Sequence, residues 1–512
     1  MAGTLAVGDI IYGRGYELHI SAKGIALTSN GVVGPDSDRQ FAGYDEIESV
    51  QAGTGGRGLV IFFAGERLPW TIPGVLPREA EWAQGIIDRA ARRARMRGTA
   101  EFSGRRTVSE VAQLLDQWLL TPAADPSMIA DFILLQATLN GATDVHLRPE
   151  DGGAAVRFRI DGQLVEAGRI PGDMSLRVAA RIKALAGMRT YQRNCAQTGR
   201  LLAPVEGREV DVRVTTLPTT HGEKLTARIF DPLAALVDLN SLGMEPAALD
   251  EYRRAIGRPN GCVLLTGPAG SGKTTTMYSS LRWIVGRTSR RSICTVEEPV
   301  ELELAGIDQT DVNRDAGLDF AAGLRIVLRQ DPQVIMVGEI RDPETAEIAV
   351  RAGLTGHLVF STVHAASTAG VFARLMEMGL EPYLVASSVT AVMAQRLVRR
   401  VCEDCATDYQ PPEHELREAG LSSADVTGWQ FRHGGGCPQC GDSGYRGRTG
   451  VFELLPVTAD LRAAVMDRRP VQEIEALAAA GRPRLWQAGL KKVQEGVTTL
   501  PEVMSALGGP EG

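Results

Sequence analysis

The segment that most limits how this chain folds is CVLLTGPAGSGKTTTMYSSLRWI, beginning at Cys262. An apolar run, a glycine-rich turn and a helical stretch follow in order, with Gly267, Gly272, Lys273 and Thr274 in the GxxxxGK[ST] spacing. Glycines let backbone N–H groups approach and surround phosphate oxygens, and the start of a helix adds positive potential there. The spacing predicts a nucleotide cradle of Gly267, Pro268, Gly270, Ser271, Gly272, Lys273, Thr274 and Thr275. Lys273 belongs on the β- and γ-phosphates of ATP, and Thr274 is the expected Mg²⁺ ligand. The plain alternative is a degenerate loop that holds no nucleotide. From Gly261 onward apolar runs alternate with helical stretches, the pattern of a parallel α/β sheet.

Hydrolysis requires one carboxylate to direct water and another to hold the metal shell. SICTVEEPVE delivers Glu297 and Glu298 at the end of an apolar run, and PQVIMVGEIRD delivers Glu339. Ligands of open α/β sheets bind beyond the carboxyl ends of strands, where both segments place their acids. Gly338 stands where many phosphate-loop enzymes carry a magnesium-shell Asp, so metal ligation by that strand is expected to be weaker or indirect. The structural alternative is that Glu298 or Glu339 merely caps the next element.

Length and charge bound the rest. At about 150 residues per domain, 512 residues make roughly three to four units. Lys+Arg 55 against Asp+Glu 62 leaves a net charge of −7, which excludes a polybasic nucleic-acid coat. There is no apolar stretch of membrane-spanning length. The start, MAGTLAVGDI, lacks the features of a signal peptide, so a cytoplasmic location is expected.

Residues 1–100 alternate in short apolar segments broken by Gly, Asn and Asp, then enter a helix at Pro77 with Trp82, Ile86 and Ala90 on one face. The pattern resembles a small β-rich, pleckstrin-homology-like barrel. Arg89, Arg92, Arg93, Arg95, Arg97, Arg105 and Arg106 make a basic cluster, read either as a solvated helix end or as a patch for anionic lipid or an acidic partner. A linker and short helix are expected over 101–121. An α+β unit follows over 122–232 with an N-cap at Asp125, then a hinge over 233–243 and the phosphate-loop unit over 244–512.

Seven cysteines are too few for a disulfide framework, and four fall in two pairs, Cys402/Cys405 and Cys437/Cys440. Two CxxC turns supply the four thiolates of a closed tetrahedral site, usually structural Zn²⁺. The loop between them is longer than in common zinc ribbons, so an inserted subdomain at about 396–455 is expected. A redox dithiol pair and unligated thiols are the alternatives. His433 is read as a bystander, and Cys262 and Cys294 as small core residues.

TVEEPVE, LRIVLRQDPQVIMVGEIRDPETAEIA and TGHLVFSTVHA resemble the Asp box, Walker B segment and His box of the type II secretion/type IV pilus assembly ATPases. ATDVHLRP, VRFRIDGQL and DVRVTTLPTTHGEK extend the likeness upstream, and GYRGRTGVFELL and GLKKVQEGVTTLPEV extend it downstream. The resemblance implies a homo-hexameric ATPase with a PAS-like α+β domain hinged to a RecA-like domain. It acts on an inner-membrane platform protein of a pilus or secretion machine. Localisation would then be peripheral to the inner membrane through partners, with no direct nucleic-acid contact. Under it Glu297 is the Asp-box glutamate and probable base, Glu339 the Walker B glutamate, and His357 and His364 the γ-phosphate sensors. Arg213 and Arg228 match the arginines that reach the nucleotide, where a cation stabilises developing phosphoryl charge. Satisfied turn histidines and solvated strand arginines are the alternatives.

Three departures stand out: Glu298 for the usual Asp, His364-Ala365-Ala366 for His-Thr-Asn, and Gln197-Thr198-Gly199-Arg200 for Gln-Asp-Gly-Arg. The cysteine pairs resemble the assembly type rather than the retraction type. Residues 1–100 do not resemble the family's helical docking domain, so membrane-surface or partner docking through residues 1–106 is an expectation of its own. A nucleotide-regulated scaffold and a DNA-translocating or conjugation ATPase are the rival readings.

Overall fold

The computed structural model describes residues 9–13, 16–21, 24–29, 39–52, 58–65, 67–97, 104–121, 124–231, 237–287 and 291–509. The side chains of Arg89, Arg92, Arg93, Arg95 and Arg97, and residues 233–236 of the expected hinge, lie outside what is described.

Alternating sequence near the N-terminus forms two antiparallel sheets. The first runs β1 (Asp9–Gly13), β2 (Tyr16–Ile20), β3 (Gly24–Ser29), β4 (Arg39–Gly43), and the second β5 (Ile47–Ala52), β6 (Gly58–Phe63), β7 (Trp70–Pro73). Leu18, Ile25, Ile47, Leu59 and Ile61 fill the space between them, closed by helix Pro77–Arg97. The helix presents Ala80, Ala83, Ile86 and Ile87, not the expected face through Trp82, which is 39% exposed. Alanines at i and i+3 let the helix approach the sheets closely, and an i+4 count alone misses that stripe.

The second unit begins with two capped helices. Thr107 and Glu110 form a reciprocal capping box on Val108–Leu119, and Asp125 accepts from the Ser127 N–H at the start of Pro126–Leu139. A six-stranded antiparallel sheet follows in the order β10-β9-β8-β13-β12-β11. Its strands are β8 (Ala142–Glu150), β9 (Gly153–Ile160), β10 (Gln163–Pro171), β11 (Gln197–Val205), β12 (Arg208–Thr219) and β13 (Gly222–Phe230). Cross-strand pairing sets Arg213 directly opposite Arg228.

The third unit is a seven-stranded sheet in the order β16-β15-β17-β18-β14-β19-β22. These are β14 (Gly261–Thr266), β15 (Ile293–Glu297), β16 (Asp308–Asp311), β17 (Val334–Val337), β18 (Leu358–Thr362), β19 (Val389–Val401) and β22 (Tyr445–Pro456). All pairs are parallel except β19 with β22. Every residue of β14, β17 and β18 is buried, as central parallel strands covered by helices on both faces must be. The central strands therefore read as unbroken apolar runs.

The second and third units meet in part at a hairpin tip. Asp161, in the β9–β10 turn at φ +48°, accepts the Gly447 N–H at 2.7 Å and lies 3.5 Å from the Arg448 guanidinium. Arg105 adds contacts of 3.4 Å to the Gln439 carbonyl and side chain. Replacing Asp161→Ala is expected to cost about 1–3 kcal/mol of docking, the range for hydrogen bonds to charged groups. Hydrogen exchange should then accelerate at residues 438–448 while the amides of β14 stay protected. Unchanged exchange at 438–448 would show that the tip carries no docking energy.

Candidate functional site

Strand β14 ends at Thr266, and the chain turns through Gly267, Gly270 and Gly272 at φ +147°, +76° and +86° before helix Lys273–Arg287. At two of these positions space as well as conformation demands glycine. A Cβ on Gly267 would lie 2.5 Å from the Gln395 carbonyl, and one on Gly272 would lie 2.8 Å from Gln395 Nε2. Lys273 Nζ donates to the Gly267 and Pro268 carbonyls, each at 2.8 Å, so the ammonium lies folded over its own loop. Burial lowers the lysine's affinity for its proton, nearby Glu339 raises it, and Arg396 lowers it further. Among the described residues the buried Ser271 Oγ has no hydrogen-bond partner. A cradle with an orphaned hydroxyl and a cation at its mouth fits a polyphosphate. Thr274 and Thr275, half-buried in the first helical turn, are placed where the motif requires them.

Four carboxylates at the strand tips sit in different surroundings. Glu339, just beyond β17, has one oxygen 2.5 Å from Arg341 and the other 3.5 Å from His364 Nε2. It also lies near enough to Lys273 to raise that group's pKa. Glu297 is 3% exposed and fully engaged. Its Oε2 accepts from the Tyr278 hydroxyl at 2.5 Å, and its Oε1 accepts from Thr295 at 2.7 Å and Gln309 at 3.0 Å. Glu298 is held by Arg314, whose paired hydrogen bonds of 2.8 and 3.0 Å depress its pKa. Burial, then Glu297, pushes Glu301 up, against the opposing charges of Arg213 and Arg228.

The structure brings Lys273, Glu339 and His364 together. It does not bring His357 to them: that ring precedes β18 and its Nδ1 lies 3.1 Å from the Ala352 carbonyl, whereas His364 follows the strand. Arg213 reaches across from the second unit to the Val300 carbonyl at 3.4 Å and packs 4.5 Å over Phe230. Arg228 pairs with Asp144 at 3.0 Å.

Strands β19 and β22 pair from Ala391↔Pro456 to Val401↔Tyr445, which carries both cysteine pairs to one end of the ladder. The four Sγ atoms lie within 4.8 Å of one another. Cys402–Cys437, Cys405–Cys440 and Cys437–Cys440 are separated by 3.9, 3.8 and 3.7 Å. A tetrahedron with Zn–S bonds of 2.3 Å has edges of about 3.8 Å, so the donor set is compatible with zinc. His433 lies outside it, 3.3 Å from Thr407 Oγ1.

The profile described as Type II/IV secretion system protein matches residues 124–505. The chain belongs to that family. It is 44% identical over 372 residues to the type II secretion system ATPase E of Vibrio cholerae, covering 73% of each chain. It is 39% identical over 406 residues to the type IV pilus assembly ATPase PilB of Thermus thermophilus, covering 79% of this chain and 45% of that one. Among solved structures it shares a fold with the Legionella pneumophila ATPase DotB, at 20% identity and a TM-score of 0.56 over 73% of this chain and 94% of that one. It also shares a fold with the pilus retraction motor PilT, at 23% identity and a TM-score of 0.51 over 74% and 97%. The family match leaves the β-rich N-terminal unit outside it.

Within this family member, sequence reasoning missed three residues that shape the site. Gln395 accepts from the Thr276 hydroxyl at 2.9 Å, Arg396 lies under Gly267, and Tyr278 ties Glu297 to the phosphate-loop helix. Tyr278 carried a faint signal, as a polar-tipped aromatic inside an otherwise inward helix face.

Two outcomes follow from this geometry. Removing metal with a chelator, or replacing Cys437→Ser, should open the insert between β19 and β22 and part the stacked rings of Trp429 and Phe431, now 5.5 Å apart. Tryptophan fluorescence should shift red as bound zinc is lost, and an unshifted spectrum in metal-free protein would exclude a structural role. Tyr278→Phe removes a buried donor from Glu297 and should lower thermal stability by about 1–3 kcal/mol. Calorimetry checks this, and a melting point within error of wild type would mean the hydroxyl is dispensable.

Proposed function

We propose that this chain is an ATP-hydrolysing motor subunit of a type II secretion or type IV pilus assembly machine, working as a homo-hexamer against an inner-membrane platform protein. Family membership supports the activity. The observation that carries the assignment to particular residues is the convergence of Lys273, Glu339 and His364 at one mouth of the phosphate loop. Among the described residues no helix is long and apolar enough to cross a membrane.

In this reading Lys273 exchanges its two carbonyl acceptors for oxygens of the β- and γ-phosphates when ATP enters. The loop amides and the Ser271 hydroxyl close around the remaining oxygens. Thr274, with Glu339 nearby, would hold Mg²⁺, which would supply charge neutralisation on the transferring phosphoryl group. Glu339 orients the attacking water and takes its proton, with Arg341 and His364 fixing the carboxylate. Glu297, bound by three donors, positions the 298–301 segment rather than meeting water in this state. Arg213 already touches that segment from the second unit, so closure of that unit is coupled to the site's rim. Zn²⁺ on Cys402, Cys405, Cys437 and Cys440 acts as a structural clamp on the insert. His357, at the other end of β18, has no part in this chemistry within a single subunit.

The test is phosphate release and nucleotide retention by the full chain. Lys273→Ala should lose both. Glu339→Gln should retain ATP while turnover falls by about 10²–10³, the scale of removing one well-placed catalytic group. A nucleotide-regulated scaffold predicts no difference between Glu339→Gln and wild type, and that outcome would defeat the motor reading.

A further inference from the structure

Helices Pro246–Ile256 and Lys273–Arg287 both end on the side of the sheet away from the phosphate loop. Between their C-terminal ends lies a groove of about 490 Å³ lined by Arg253, Arg254, Arg287, Arg291 and the face of Trp283. None of its lining residues is acidic. Arg254 and Arg287 are exposed and make no ion pair among the described residues, while Arg287 stacks 4.9 Å from the Trp283 ring. Arg291 is tied by its guanidinium to the Arg258 and Gly257 carbonyls at 3.3 and 3.5 Å. Arg253 donates to Asp250 at 2.8 Å, yet its Nε is buried with no hydrogen-bond partner. Of these four arginines only Arg253 makes an ion pair among the described residues, with Asp250, on a protein whose net charge is −7. Cations that line one groove gain from an anion placed between them, and a buried unpaired donor costs free energy. A surface that maintains both is built for an anionic occupant.

We propose that this groove docks an acidic polypeptide segment of a partner protein. The cations are all arginines, whose planar forks match carboxylates two bonds at a time, and not the lysines that serve as simple point charges. Trp283 adds an apolar wall, and Trp beside Arg is the composition of interface anchor points. The site is concave, so an extended chain enters it and a flat bilayer does not. Its volume exceeds what a single phosphate would fill. Lys273 and Arg287 stand fourteen residues apart on one helix, about 21 Å at 1.5 Å per residue, so an occupant leaves the phosphate loop open.

The experiment uses the full chain and a fluorescein-labelled alternating Glu/Leu peptide, followed by anisotropy at fixed salt, with a Gln/Leu peptide beside it. Binding of the acidic peptide alone is expected. The double variant Arg254→Glu/Arg287→Glu should weaken it by about tenfold or more, as removal of close charge pairs does. Arg351→Glu/Arg374→Glu, which makes the same charge change at exposed positions outside the groove, should move it less than about twofold. Retention of fluorescent ATP should be equal in all three proteins, which separates this result from any failure at the phosphate loop. The proposal is overturned if the acidic peptide does not bind, or if both double variants lose it equally. It is also overturned if equimolar phosphatidylcholine/phosphatidylglycerol vesicles or a DNA duplex, and not the peptide, show the dependence on Arg254 and Arg287.

Discussion

The backbone of the phosphate loop rests directly on strand β19. With the Gln395 carbonyl 2.5 Å from where a Gly267 Cβ would sit, and its amide 2.8 Å from that of Gly272, the loop has no freedom to move toward the sheet. Gln395 also accepts the Thr276 hydroxyl, which pins the first turn of the helix to the same strand. The amides that must surround phosphate are thus positioned before nucleotide arrives, and ATP binding need not supply the ordering. The same strand continues from Gln395 to Val401, six residues or about 20 Å of extended chain, and Cys402 follows it directly. One rigid element therefore supports the nucleotide cradle at one end and the tetracysteine insert at the other. Asp161 grips the Gly447 amide beside that insert, so the second unit is docked on β22, the antiparallel partner of the strand that braces the loop.

Burial divides the work among the acids. At 3% exposure Glu297 has both oxygens engaged by three donors, which hold it to the phosphate-loop helix and to Thr295 and Gln309. Glu339 is bounded by Arg341, His364 and the field of Lys273, and has an oxygen facing the loop mouth. Glu298, one methylene longer than the usual Asp, uses that reach to pair with Arg314 away from the loop. Glu301 lies within the fields of Arg213 and Arg228, which reach it from the second unit.

What could be read in the sequence was whatever is encoded locally. The strand–loop–helix around Lys273, the apolar runs ending in Glu297 and Glu339, and the two CxxC turns each lie within a few residues, and each occupies the place its pattern implies. Contacts between distant positions were not legible. Gln395 meets Thr276 across 119 positions and Asp161 meets Gly447 across 286, and neither residue type announces a partner. His357 and His364 look equivalent in the string because they are seven apart. A strand separates them, however, and at about 3.3 Å per residue it carries one ring to each end of β18. Trp82 was misplaced for the opposite reason, since its bulk suggested the core while small alanines made the contact.

The phosphate-loop helix is the element common to both ends of the third unit. Its first residue is Lys273, its sixth holds Glu297 through Tyr278, and its last turn carries Arg287 against Trp283. A packed helix of this length does not bend easily, because Tyr278, Leu281 and Ile284 are locked in the core. Any tilt of its N-terminus on ATP binding is therefore delivered to the arginine groove as displacement rather than absorbed along the way. Linkage then constrains the consequences. A segment seated in the groove and a nucleotide at Lys273 are either independent, or each changes the other's affinity by the same factor. The groove proposed above and the phosphate loop lie at opposite ends of one helix, which gives the two sites a physical means of sensing each other.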